Sequence, residues 1–195
     1  ATLIDPDCTV EELIAAGRPT TKVIFAESLG NPALNVLDIE KFSKAAKALG
    51  VPLVIDNTIA SAYLCHPIVH GANIVIHSTT KYCDGHATSI GGMVIDGGNF
   101  DWNNGKFPEF TQPDESYHGT VYARDFGPMA FAIKARVQML RDLGCTMSPM
   151  NAFLTNIGLE TLHLRMRCHS DNALALARHL EKSPYVDWVN YPGLE

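Results

Sequence analysis

Residues 51–58 read V-P-L-V-I-D-N-T, and residues 73–82 read N-I-V-I-H-S-T-T-K-Y. Each begins as a short apolar run rich in β-branched residues and stops at a polar cluster, the pattern of a strand buried on both faces of a sheet. The intervening stretch is long enough for a crossover, so the two strands are expected to run parallel. Ligands of open parallel sheets bind beyond the carboxyl ends of the strands. The residues that close these runs, Asp56 and then Ser78, Thr80 and Lys81, therefore carry most weight.

Upstream, Lys22–Ala26 (K-V-I-F-A) gives a third run of the same kind, ending in E-S-L-G-N-P at Glu27–Pro32. Between it and Val51–Ile55 lies an amphipathic segment, Val36–Leu49. There Leu37, Phe42, Ala45, Ala46 and Leu49 share one side, Lys41, Lys44 and Lys47 share the other, and Gly50 is placed to end the helix. This is a β-α-β unit. Downstream, Gly91–Ile95 (G-G-M-V-I) follows the Asn73–Ile76 strand too closely for a helical crossover, so it is expected to join the sheet antiparallel. The fold class is α/β, a mostly parallel sheet with helices on both faces.

From Asn99 to His118 the chain is rich in Asn, Gly, Pro and aromatic residues without a period. It reads as a long loop that covers a site or meets another subunit. Two helical stretches follow, Arg124–Leu143 closed by Gly144, and a long one from Asn151 to Lys182 with Pro184 beyond it. The expected division is residues 1–147 in the ligand-binding domain and 148–195 opening a C-terminal domain.

A length of 195 residues with 46% hydrophobic and 18% charged residues suffices for an ordinary core. A net charge of −6 without a basic run argues against nucleic acid and against an acidic membrane surface. No apolar run is long enough to span a bilayer. Five cysteines at wide spacing, with no C-x-x-C pair, read as reduced, mostly buried thiols in a cytoplasmic protein. His86, His118 and His163 lack metal-ligand spacing, and Tyr63 reads as core or pocket wall.

A strand-end carboxylate such as Asp56 suits pairing with a protonated pyridine nitrogen, though alone it equally fits a turn cap. The hydroxyls of Ser78 and Thr80 suit a phosphate, or equally a loop. Lys81 taken alone is an ordinary solvated lysine. Together, however, D-N-T at Asp56–Thr58, H-G-A-N-I-V-I-H-S-T-T-K-Y at His70–Tyr82 and G-H at Gly85–His86 resemble the Cys/Met-metabolism pyridoxal-phosphate (PLP) enzymes of fold type I. The similarity runs along nearly the whole chain. It implies that Lys81 holds pyridoxal 5'-phosphate as a Schiff base, that Asp56 binds its pyridine nitrogen, and that Ser78 and Thr80 bind its phosphate. Asn31 would reach the cofactor's 3-hydroxyl and the substrate carboxylate. Glu27 matches an acidic position of the family with a catalytic or a structural role.

Within that family the chain is most similar to the O-acetylhomoserine sulfhydrylases. The similarity lies in F-D-W-N-N-G-K-F-P-E-F-T-Q-P-D at Phe100–Asp114, S-Y-H-G at Ser116–Gly119, R-D-L-G at Arg141–Gly144, S-P-M-N-A-F at Ser148–Phe153 and G-L-E-T-L at Gly158–Leu162. The implied reaction is γ-replacement, O-acetyl-L-homoserine plus sulfide giving L-homocysteine plus acetate, in a homotetramer. Cystathionine γ-synthase and methionine γ-lyase share the same core residues, and a catalytically silent module is the reading of another class. The family's phosphate-binding glycine loop, its cofactor-stacking aromatic and its carboxylate-clamping arginine match nothing in these residues, so the chain reads as part of a longer protein. Arg165 and Arg167 read as solvated or interface arginines.

Overall fold

The computed structural model describes residues 1–194. Four strands form one sheet in the order of the chain: β1 (Ile24–Glu27), β2 (Leu53–Asp56), β3 (Ile74–Ser78) and β4 (Gly92–Asp96). β1, β2 and β3 are parallel, with Glu27 beside Asp56 and Asp56 beside Ile76, while β4 returns antiparallel with Gly92 beside Ser78. Every strand ends later than the apolar runs suggest, because Glu27, Asp56 and His77–Ser78 still sit in the hydrogen-bonded ladder. Apolarity ends where the ligand edge begins, and the ladder continues into it. Burial on both faces holds for the central strands only: Phe25 on β1 and Val94 on β4 are 56% and 60% exposed, since both strands are edges here.

The short helix α1 (Val10–Ala15) opens on a reciprocal cap between Thr9 and Glu12, and α2 (Ile39–Leu49) is capped by Asp38 and closed by Gly50 at φ 62°. The helix starts later than its apolar pattern because Leu37 donates its N–H to Ser28 O, which ties Val36–Leu37 to the loop after β1. The inward side of α2, with Phe42, Ala45 and Ala46, packs with Leu13 against Leu53, Ile55 and Val75 on one face of the sheet. Next come the single turn α3 (Ser61–Leu64) and a 3-10 turn at Pro67–His70.

The opposite face, carrying Val54, Ile74 and Ile76, is covered by a second core of Trp102, Phe107, Phe110, Tyr122, Ala123 and Ala130. Trp102 stacks on Phe110 with ring centroids 4.1 Å apart and meets Phe107 edge-on at 5.1 Å. This corrects the reading of Asn99–His118 as a covering loop. Its aromatic residues are core, and α4 (Pro108–Thr111) lies within it. The segment is fastened to the amino ends of the strands: Asn104 donates to Gly50 O at 3.0 Å, Lys106 to Leu49 O at 2.5 Å, and Lys22 Nζ to Lys106 O. It thus sits at the end of the sheet remote from Asp56 and Ser78. A packed irregular segment has no period to read, so sequence alone could not separate it from a loop.

The stretch expected as one helix at Arg124–Leu143 is broken into α5 (Tyr122–Phe126), a 3-10 turn at Gly127–Met129, α6 (Ala130–Lys134), a π-helical turn at Ala135–Leu140 and α7 (Arg141–Leu143). Gly127-Pro128 removes a backbone donor and the continuous ladder with it. Lys134 and Gln138 both donate to Asp114 Oδ2, at 3.1 and 2.6 Å, which anchors this stretch to the aromatic layer. The long C-terminal helix is likewise two, α8 (Pro149–Glu160), capped by Ser148, and α9 (Leu162–Leu180), with the break at Thr161. Among the described residues no helix is long and apolar enough to cross a membrane.

Other expectations change too. All five cysteines are free, but only Cys83 is buried; Cys145 and Cys168 are exposed, the first in the turn after Gly144 and the second on the outer side of α9. Tyr63 is 44% exposed on α3, which excludes the core and leaves the pocket-wall reading. No group of three or more His, Cys, Asp or Glu suited to a metal occurs among the described residues.

Candidate active site

The carboxyl ends of β1, β2 and β3 meet at one edge. The ladder continues past the strands there, Ser28 N–H donating to Asp56 O and Asn57 N–H to Ile76 O, both at 2.9 Å. Side chains alternate along a strand, so Asp56 and Ser78 lie on the face of Val54 and Ile76, whereas Ile55, Val75 and His77 point to the α2 side. His77 is buried there, and burial lowers its pKa from the ordinary histidine value. It reads as a packed histidine.

The Asp56 carboxylate is oriented by Thr58. Thr58 N–H and Oγ1 both donate to Asp56 Oδ1, at 2.9 and 2.5 Å, while the same Thr58 hydroxyl accepts Ser78 N–H at 2.8 Å. One hydroxyl therefore joins the ends of β2 and β3. Among the described residues Oδ2 of Asp56 and the hydroxyl of Ser78 take no protein partner. The adjacent Asn57 is structural: fully buried, it donates to the carbonyls of Ser61 and Cys65 at 2.8 and 2.9 Å and fixes α3.

Thr80 stands in a different position from Ser78. Its hydroxyl donates to Gly91 O at 3.2 Å and accepts Gly91 N–H at 3.1 Å, fastening the turn after β3 to the start of β4. Lys81 follows in that turn with its side chain exposed and, among the described residues, free of any ion pair. Its backbone is fixed: Lys81 N–H donates to Ser78 O and Lys81 O accepts Gly85 N–H at 2.8 Å. Asn31 is at the same edge on the β1 side, exposed, with its N–H donated to Glu27 Oε2 at 2.9 Å. That bond gives Glu27 a structural task, closing the loop after β1.

Sequence reasoning passed over three residues. Thr58 was legible in principle, since D-x-T is a local side-chain-to-backbone motif. Asp84, three residues after Lys81, is fully buried, and its carboxylate accepts from Thr88 N–H and Oγ1, His86 N–H and Ser89 Oγ. Those bonds, the Thr88 N–H foremost, hold its pKa down at about 2. Arg165, expected to be a solvated or interface arginine, donates within the chain to Tyr82 O at 2.9 Å, Gly158 O at 2.6 Å and Thr161 Oγ1 at 3.0 Å. Nothing in a helical R-x-R signals such a distant backbone partner.

The donor set of this edge, an oriented carboxylate with one oxygen open, a free hydroxyl and an unpaired primary amine, fits a phosphorylated aromatic aldehyde with a basic ring nitrogen. The chain matches, over residues 1–195, the family described as Cys/Met metabolism PLP-dependent enzyme. It belongs to that family. The cofactor of the family is pyridoxal 5'-phosphate. Among its relatives, the O-acetyl-L-homoserine sulfhydrylase of Leptospira meyeri is 55% identical over 192 residues, covering 94% of this chain and 43% of the relative. The homocysteine synthase of Schizosaccharomyces pombe is 51% identical over 187 residues, covering 94% and 44%. A crystal structure from Campylobacter jejuni, assigned as an O-acetylhomoserine (thiol)-lyase, superimposes with a TM-score of 0.90 at 38% identity over 97% of this chain and 46% of that one. That protein carries a pyridoxyl-lysine monophosphate. The chain thus spans less than half the length of these relatives. The mixed sheet with helices on both faces is the fold of this family, as its sequence motifs imply.

Proposed function

We propose that the full-length protein is a pyridoxal-phosphate-dependent O-acetyl-L-homoserine sulfhydrylase, converting O-acetyl-L-homoserine and sulfide to L-homocysteine and acetate. The observation that carries the substrate assignment is the 55% identity, sustained across almost the whole chain, to a relative of that name. In this reading Lys81 is the covalent attachment point and, once released by the substrate amine, moves the proton at the substrate Cα. Asp56 directs its open oxygen to the cofactor's ring nitrogen and keeps it protonated, while Thr58 holds the other oxygen. Ser78 donates its free hydroxyl to the phosphate. Thr80 joins it by exchanging its 3.2 Å bond to Gly91 O for a phosphate oxygen. Asn31 faces the 3-hydroxyl and the substrate carboxylate. When bound, the cofactor supplies the electron sink that makes proton removal at the substrate carbon feasible.

The reading also places residues 1–147 in the cofactor-binding domain and 148–195 at the opening of the next, with the Ser148 cap as the boundary. It makes the protein a cytoplasmic homotetramer. Full-length protein loaded with pyridoxal phosphate should release homocysteine and acetate from O-acetyl-L-homoserine and sulfide. Faster formation of cystathionine with cysteine as acceptor, or breakdown of methionine alone, would replace the assignment with cystathionine γ-synthase or methionine γ-lyase.

A further inference from the structure

The loop that carries Lys81 is held from outside the sheet. Along one side of α8, Asn151, Thr155 and Gly158, at i, i+4 and i+7, meet it in succession. Asn151 Nδ2 donates to Ile90 O at 2.9 Å, the Thr155 hydroxyl lies 3.5 Å from that of Ser89, and Gly158 lies against the backbone of Cys83 and Asp84. A Cβ on Gly158 would stand 2.3 Å from Cys83 O and 2.2 Å from Asp84 O, so only glycine permits this approach. At the start of α9, Arg165 bridges the two parts, one terminal nitrogen on Tyr82 O and the other on Gly158 O. Gly85, at φ +72°, makes room for it, since a Cβ there would be 2.5 Å from Arg165 Nη1. Within the loop, the buried Asp84 gathers residues 86 to 89 around itself.

Since the Lys81 side chain has no protein anchor among the described residues, its reach is set by its backbone. That backbone is pinned at Ser78 and Gly85 within the turn, and at the adjoining Tyr82 carbonyl by a guanidinium 83 residues downstream. We propose that Arg165 is a positioning residue for Lys81, holding the lysine turn in register with Asp56 and Ser78 by clamping Tyr82 to α8. The proposal rests on Lys81 being the residue that takes the cofactor. An arginine is required because two carbonyls are met by two nitrogens of one planar fork, which a lysine cannot reproduce.

The test compares Arg165→Ala, Arg165→Lys and Arg167→Ala in the full-length protein, the last an exposed arginine of the same helix. Two quantities are read: the rate at which cofactor-free protein captures pyridoxal phosphate on Lys81, trapped by borohydride and mapped by mass spectrometry, and the pH midpoint of the bound chromophore's absorbance. The expected result is a folded Arg165→Ala protein whose capture slows roughly tenfold or more, as displacements near 1 Å of a reacting group do, with a displaced pH midpoint. Arg165→Lys should fall between it and wild type, and Arg167→Ala should match wild type. Wild-type capture and midpoint in Arg165→Ala, or equal losses in Arg167→Ala, overturn the proposal. So does failure of both Arg165 variants to fold, which would assign the residue to the α8–α9 joint. A wild-type protein that captures no cofactor on Lys81 overturns the functional reading itself, and the positioning role with it.

Discussion

Replacing Thr58 by valine changes almost nothing in shape and removes the hydroxyl that joins the ends of β2 and β3. Two interactions go: the 2.5 Å bond donated to the Asp56 carboxylate and the 2.8 Å bond accepted from Ser78 N–H. A bond to a charged acceptor contributes ~1.5–3 kcal/mol, and an amide donor left unmade costs ~1–3 kcal/mol. Both groups are only part-buried, so the lower ends apply, and the full-length Thr58→Val protein should lose about 2–3 kcal/mol of stability in urea unfolding. The Asp56 share, ~1.5 kcal/mol, should reappear as an affinity for pyridoxal phosphate weaker by about tenfold. The valine leaves the carboxylate held only by Thr58 N–H, free to turn away from the ring nitrogen. Thr58→Ser keeps the hydroxyl and should restore affinity, measured by absorbance titration of cofactor-free protein. A valine variant that is destabilised yet binds cofactor as wild type does would refute the orienting role of Thr58. A serine variant as impaired as valine would show that the hydroxyl alone does not orient the carboxylate.

The remaining expectations concern the packing around this edge. Gly158→Ala forces α8 about 1 Å away from the Lys81 loop and should cost ~1–3 kcal/mol, as overpacking does, with weakened cofactor capture; an unchanged melting temperature would contradict the close packing of Gly158 on the carbonyls of Cys83 and Asp84. Trp102→Ala empties the centre of the second core and should cost ~3–5 kcal/mol, while pyridoxal-phosphate binding in the still-folded fraction survives, because the segment carrying Trp102 is fastened at the amino ends of the strands, away from Asp56 and Ser78. Loss of binding with little loss of stability would restore the reading of this segment as a cover over the site. Asp84 has a folded pKa of about 2, below its ordinary 3.8, so its contribution is complete above pH 4 and is lost as pH falls toward 2. The stability difference between wild type and Asp84→Asn should therefore shrink across that interval, and a difference constant with pH would show that the carboxylate is not the source.

The parts of the molecule legible in the sequence are those where one physical demand dominates a run of residues. Leu53–Ile55 and Ile74–Ile76 had to be apolar throughout, being central and covered on both faces, and they disclosed the parallel sheet; the closeness of Gly92–Asp96 to β3 disclosed its antiparallel edge. Asp56, Ser78 and Lys81 were singled out as candidates because strand ends are where a parallel sheet exposes polar groups. What escaped was set by contacts distant in the chain. Trp102, Phe107 and Phe110 are buried without any period, so they looked like loop. Thr161 interrupts a helix whose apolar pattern continues through it. Arg165 finds its carbonyl 83 residues away, and no local spacing encodes that.

The most direct measurement of the central claim is borohydride reduction of the full-length protein after loading with pyridoxal phosphate, followed by peptide mass mapping beside Lys81→Ala. The account predicts a pyridoxyl-phosphate adduct on Lys81 in wild type and its disappearance, together with the bound chromophore, in the variant. An adduct of full stoichiometry on another lysine, or one that persists in Lys81→Ala, would contradict it.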